Sequence, residues 1–160
     1  MGHTQGFYQN RNFTPQEWDL VCKVSTLIFD QADQLGIQLG DVSGTPGTEP
    51  EVHFSDAEDS FIHFNGIGPK SCESFLITIN QEWDEYMDKN APPFNFCKTK
   101  ELPYDLIVMA ILGACSVIAP GIYTLKSDSN ADEWKPALEL AAKVLGVDPN
   151  VFRLNHAVSY

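Results

Sequence analysis

Residues 106–119 read LIVMAILGACSVIA, and this run decides the fold. A helix built from it is apolar on every face except at Ser116 and has no side to offer to water. Its fourteen residues are too few to cross a bilayer, which takes about twenty, and no basic flank marks it as a membrane segment. It is therefore read as a central buried helix, with a sheet on one side and other helices on the other. Pro103 opens it and Pro120-Gly121 ends it.

Upstream, Thr14-Pro15-Gln16-Glu17 is a capping box with proline at the first helical position. Behind it Trp18, Val21, Cys22, Ser25, Ile28, Phe29, Ala32 and Leu35 recur at spacings of three and four, which predicts a helix over 15–35 stopped by Gly36. Residues 40–50, GDVSGTPGTEP, are a loop of mobile or binding type or a plain surface insertion. Residues 51–54, 60–64 and 73–79 read as strands. The apolar, β-branched SFLITI at 74–79 is placed centrally in a sheet. Residues 82–89 suit one or two acidic helical turns.

Downstream, IYTLK at 122–126 is a strand. A helix over 131–145 follows, capped by Asn130 with Glu133 or by Ser129 with Asp132. Trp134, Leu138, Ala141 and Leu145 form its inner stripe and Gly146 its stop. Strands and helices are segregated rather than alternating. The fold class is α+β: a mostly antiparallel sheet of about four strands covered by three main helices, one of them buried. At 160 residues the chain is one domain, with flexible ends expected at 1–13 and 155–160.

The charge is lopsided. Residues 1–97 carry fifteen acids and four bases, and residues 98–160 carry seven and six. From Val24 to Pro69 there are eight acids and no base. Such a chain repels nucleic acid and anionic membrane and favours a basic partner or a cation. Cys22, Cys72, Cys97 and Cys115 are widely spaced without a C-x-x-C pair, which reads as reduced thiols in a cytoplasmic protein. The first twelve residues are polar and hold no signal-peptide core.

No catalytic motif stands in the chain cleanly, and no cofactor is expected. The glycines at 66 and 68 lack the Gly-Lys-Ser/Thr of a phosphate loop, and no serine sits in a nucleophile elbow. His53, Asp56, Glu58, Asp59 and His63 fall within eleven residues. Imidazole and carboxylate are ligands for zinc, manganese or iron, so His53, Asp56 and His63 are an alternative metal site if two strands bring them together. Cys97 precedes Lys98, and a thiol beside cations can become a nucleophile. Asp105, Asp128, Lys98 and Lys126 border the most apolar part of the chain. They form either a hydrolase-like cluster or ordinary helix caps and ion pairs. Residues 82–88, EWDEYMD, are either aromatic anchors ringed by charge or a turn with Trp83, Tyr86 and Met87 inward.

Phe96-Cys97-Lys98-Thr99, Pro103-Tyr104-Asp105, Ser127-Asp128 and Trp134 follow one another in a recognisable order. The arrangement resembles a group of small uncharacterised bacterial and phage proteins with a Lys-Thr…Pro-Tyr-Asp…Ser-Asp…Trp pattern. It covers about a third of the chain, and Ser129 stands where that pattern has glycine. The resemblance implies a bacterial or phage cytosolic origin and no particular activity. The expected function is that of a non-enzymatic, inhibitor-like or immunity-like module. It would present Asp30, Asp33, Asp56, Glu58, Asp59, Asp84 and Glu85 to a basic protein surface, with no direct contact to nucleic acid or membrane. The alternative is a small hydrolase with Asp105, Asp128 and Lys98 or Lys126 in a cleft. The oligomeric state is not legible in the sequence.

Overall fold

The computed structural model describes residues 3–56 and 59–154. In chain order the elements are β1 (Thr4–Gln9), α1 (Pro15–Gln34), β2 (Leu39–Gly40), β3 (Glu51–Val52), β4 (Phe61–Gly66), β5 (Phe75–Thr78), β6 (Phe94–Lys98), α2 (Asp105–Ile118), β7 (Tyr123–Ser127) and α3 (Ala131–Leu145). The α+β class holds, and every strand pairing is antiparallel. The strands divide into two sheets instead of one. The first has the order β6-β1-β7; in the second, β4 is the common partner of β2, β3 and β5.

β1 is the centre of the first sheet, although nothing before Thr14 reads as an element in the sequence. Its inward residues are Gln5, Phe7 and Gln9, all buried. Two of the three are polar, so the usual alternation of apolar and polar side chains is missing. Both glutamines are satisfied internally. Gln9 Nε2 reaches the carbonyl oxygens of Thr78 and Ile79 at 3.3 and 3.4 Å and so ties the two sheets together. On the outward face, Gly6 sits beneath the ring of Phe94. A Cβ there would lie 2.7 Å from Phe94 Cζ and 2.8 Å from the Lys126 carbonyl oxygen.

α2 is the buried helix. Ile107 to Cys115 are all inaccessible, and the helix packs against α1, α3 and β7. Its neighbours in the core include Trp18, Ile28, Phe64, Phe75, Tyr123 and Trp134. The two capping boxes form as the local chemistry requires. Thr14 and Glu17 exchange bonds at the start of α1, and Asn130 and Glu133 at the start of α3; Ser129 with Asp132 is not the pair used. Gly36 and Gly146 adopt the left-handed conformation that ends each helix. Leu35, read as part of the α1 stripe, is instead exposed at the last turn. Residues 82–89 form turns rather than helix. Among the described residues no helix is long and apolar enough to cross a membrane.

Candidate functional site

Helix α1 and the loop over 40–50 enclose a groove of about 580 Å³. Asp30 and Asp33 are three residues apart, which places them on one side of α1, and both line the groove together with Glu49 from the loop. Its apolar lining includes Phe29, Ile37, Leu39, Val52 and Ile67, and no lysine or arginine borders it. The loop wall is held by its own hydrogen bonds. Asp41 Oδ1 accepts from Ser43 N at 2.9 Å and from the Ser43 hydroxyl, and this hydroxyl bond holds the Asp41 carboxyl below its ordinary range. Thr48 Oγ1 accepts from Asp41 N at 3.0 Å and donates to the Thr45 carbonyl at 2.6 Å. Gly68 N donates to the Gly44 carbonyl and anchors the loop to the segment after β4.

The other acids expected to bind a partner are placed apart from this groove. Asp56 and Asp59 are exposed between β3 and β4, and Asp59 lines a separate depression with Phe61, His63, Leu76 and Glu82. Glu58 lies outside the described residues. Asp84 and Glu85 are exposed, and Asp84 Oδ1 shapes its own turn by accepting from Tyr86 N and Met87 N. Trp83 and Tyr86 point outward, Tyr86 at 89 % exposure. Trp83 Nε1 donates to the Ala91 carbonyl at 2.8 Å.

His53 and His63 share one face of the second sheet but do not join in a ligand set. The His53 ring stacks on Phe61 with centroids 4.2 Å apart, and Phe61 also meets the edge of His63 at 6.2 Å. His63 Nε2 is engaged with Ser74 Oγ at 2.8 Å, and burial pushes this imidazole below its ordinary value. Among the described residues, the metal-ligating side chains that do converge are His3, Glu101 and Glu133 rather than His53, Asp56 and His63.

Among the described residues, neither Lys98 nor Lys126 forms an ion pair with Asp105 or Asp128. Asp105, in the first turn of α2, accepts on Oδ1 from Gln5 Nε2 at 3.0 Å and from Thr99 Oγ1 at 2.6 Å. Asp128 Oδ2 accepts from Thr4 N at 2.9 Å and so fastens β7 to β1. Lys98 and Lys126 are exposed on the two outer strands of the first sheet. Cys97 is buried, its Sγ 3.3 Å from the Glu73 carbonyl oxygen. Burial pushes its thiol up to about 12, the opposite of what a nucleophile at neutral pH requires.

What the sequence did not suggest is a polar array around the half-buried His3. His3 Nε2 lies 2.8 Å from Ser129 Oγ, and His3 Nδ1 lies 3.4 Å from Glu101 Oε1. The order resembles a nucleophile, base and orienting acid. Ser129, however, is only 1 % exposed and accepts a further bond from Gln5 Nε2 at 2.9 Å. No substrate reaches a hydroxyl so enclosed, so Ser129 holds the ring in place. The partners are 126 residues apart in the chain, and no spacing motif connects them. Comparison with protein-family models, with curated proteins and with solved structures finds no match to the chain.

Proposed function

We propose that the chain is a non-enzymatic protein-binding module of inhibitor-like or immunity-like type, which receives a basic segment of a partner protein in the groove between α1 and the 40–50 loop. The observation that carries this reading is that Asp30, Asp33 and Glu49 line one groove together with Phe29, Ile37, Leu39, Val52 and Ile67, with no lysine or arginine in its lining. Lysine and arginine match such a groove, because their hydrocarbon stems cover apolar surface while the charged heads meet the carboxylates. The hydrogen-bonded loop favours binding by reducing the order that must be imposed on association. The surrounding run of acids speeds encounter with a basic surface. Four cysteines without a disulfide framework are consistent with a reducing, cytoplasmic setting.

The test uses a peptide alternating leucine with arginine, labelled for fluorescence anisotropy, against the full chain. Binding should weaken as salt rises. Combined Asp30→Lys, Asp33→Lys and Glu49→Lys should lower affinity by about tenfold or more, while Asp132→Lys and Glu139→Lys on α3 leave it nearly unchanged. Equal affinity for the wild type and the groove variant refutes the proposal.

A further inference from the structure

Away from the groove, three segments remote in sequence deliver metal-ligating groups to one point. His3 stands just before β1, Glu101 in the turn between β6 and α2, and Glu133 in the first turn of α3. One ligand atom from each lies within 4.8 Å of the others. The imidazole is positioned before any ligand arrives. Its Nε2 is held by Ser129 Oγ at 2.8 Å, and Ser129 is in turn held by Gln5. This leaves Nδ1 facing Glu101 Oε1 at 3.4 Å. Orientation of one ring nitrogen by a hydrogen bond at the other is how proteins prepare a histidine for a metal.

A third carboxylate also lies beside the ring. Asp105 Oδ2 lies 4.0 Å from His3 Nε2, so the carboxylates of Glu101, Glu133 and Asp105 gather about one ring. Among the described residues no lysine or arginine forms an ion pair with any of the three. We propose that His3, Glu101 and Glu133 bind a divalent transition-metal ion of the zinc or manganese class. One imidazole nitrogen with carboxylate oxygens suits these ions, whereas calcium and magnesium prefer oxygen alone.

Glu133 can serve while keeping its capping role, because only Oε1 accepts from Asn130 N and the second oxygen remains for a metal. Three protein ligands leave coordination positions open. Glu101 and Glu133 also line a cleft of about 400 Å³ whose apolar walls include Leu102, Leu106 and Met109. The open positions face this cleft, where water or an anionic group of a small ligand completes the shell. The site is independent of the groove between α1 and the loop, and each stands or fails alone.

The experiment is titration of the chelator-treated full chain with Mn2+, followed by electron paramagnetic resonance, and with Zn2+, followed by calorimetry. One equivalent should bind. Glu133→Gln preserves the capping box, since glutamine serves at the same position, and Glu101→Gln alters an exposed turn, so neither disturbs the fold. Each should weaken binding by about tenfold or more, since changes even outside the ligand shell cost 10–100-fold. His3→Ala should abolish the stoichiometric site, and His53→Ala should leave it intact. Absence of a bound equivalent overturns the proposal. So does unchanged affinity in Glu101→Gln and Glu133→Gln, which would locate the ion elsewhere.

Discussion

Replacing Gln5 with leucine removes the polar hub of the first sheet with little change in volume. Gln5 is fully buried near the start of β1. Its Nε2 donates to Asp105 Oδ1 at 3.0 Å and to Ser129 Oγ at 2.9 Å, and its Oε1 accepts from the Ser127 hydroxyl. In Gln5→Leu, Asp105 keeps Thr99 and Ser129 keeps His3, but the Ser127 hydroxyl loses its acceptor inside the core. A hydrogen bond to a charged group contributes about 1.5–3 kcal/mol, and a stranded buried donor costs about 1–3 kcal/mol. The added apolar burial of leucine offsets part of this, so the expected destabilisation is about 3 kcal/mol. For a chain of this length that lowers the melting temperature by about 6–12 °C. The assay is urea unfolding followed by tryptophan fluorescence, because Trp18 and Trp134 are buried reporters. A parallel Ser127→Ala series completes a double-mutant cycle, which should close with a coupling of about 1 kcal/mol or more. A Gln5→Leu chain within about 0.5 kcal/mol of the wild type, or strict additivity in the cycle, refutes the reasoning.

Other consequences are as direct. Asn130→Ala removes the cap of α3 and should cost about 1 kcal/mol, whereas Asn130→Ser should cost far less; equal losses by chemical denaturation would show that the cap does not matter. The Tyr123 hydroxyl is buried without a hydrogen-bond partner among the described residues, so Tyr123→Phe should raise stability by about 1 kcal/mol, and a loss on urea unfolding would reveal a partner. The Arg11 guanidinium forks onto both oxygens of Glu17 at 2.8 and 3.0 Å and holds that carboxyl at about 2. Because the folded value lies below the ordinary 4.5, this stability is present above pH 4.5 and is lost as pH falls toward 2. Allowing for solvent screening, it is worth about 1 kcal/mol. Arg11→Met should flatten that acid limb in a pH series of unfolding curves. Among the four thiols only Cys72 is partly accessible, so a disulfide reagent should modify it first in the native chain; simultaneous reaction of all four would contradict the burial of Cys22, Cys97 and Cys115.

The sequence alone determined the features that arise from neighbouring residues. The unbroken apolar run in α2 is buried because no orientation of it suits water. The Thr14 and Asn130 caps close onto backbone three residues away, and Gly36 and Gly146 supply the left-handed turns that end α1 and α3. Asp30 and Asp33 share one side of α1, as their spacing of three requires.

Tertiary structure alone decided what long-range pairing creates. β1 carries glutamines inward, so its alternation is polar where a strand is sought as apolar; that burial is tolerable only because Asp105, Ser127 and Ser129 satisfy Gln5 and the Thr78 and Ile79 carbonyls satisfy Gln9. β6 pairs with β1 across some ninety residues, and FNFCK carries no signal for that partner. The same pairing places Cys97 inward and away from solvent. Glu49 joins Asp30 and Asp33 only because the 40–50 loop folds back toward α1. His3, Glu101 and Glu133 meet because the first sheet, the turn before α2 and the start of α3 converge at one corner. A histidine near the start of the chain carries no local sign of acids a hundred residues on, since proximity of that kind is a property of the packed sheet and not of any stretch within it.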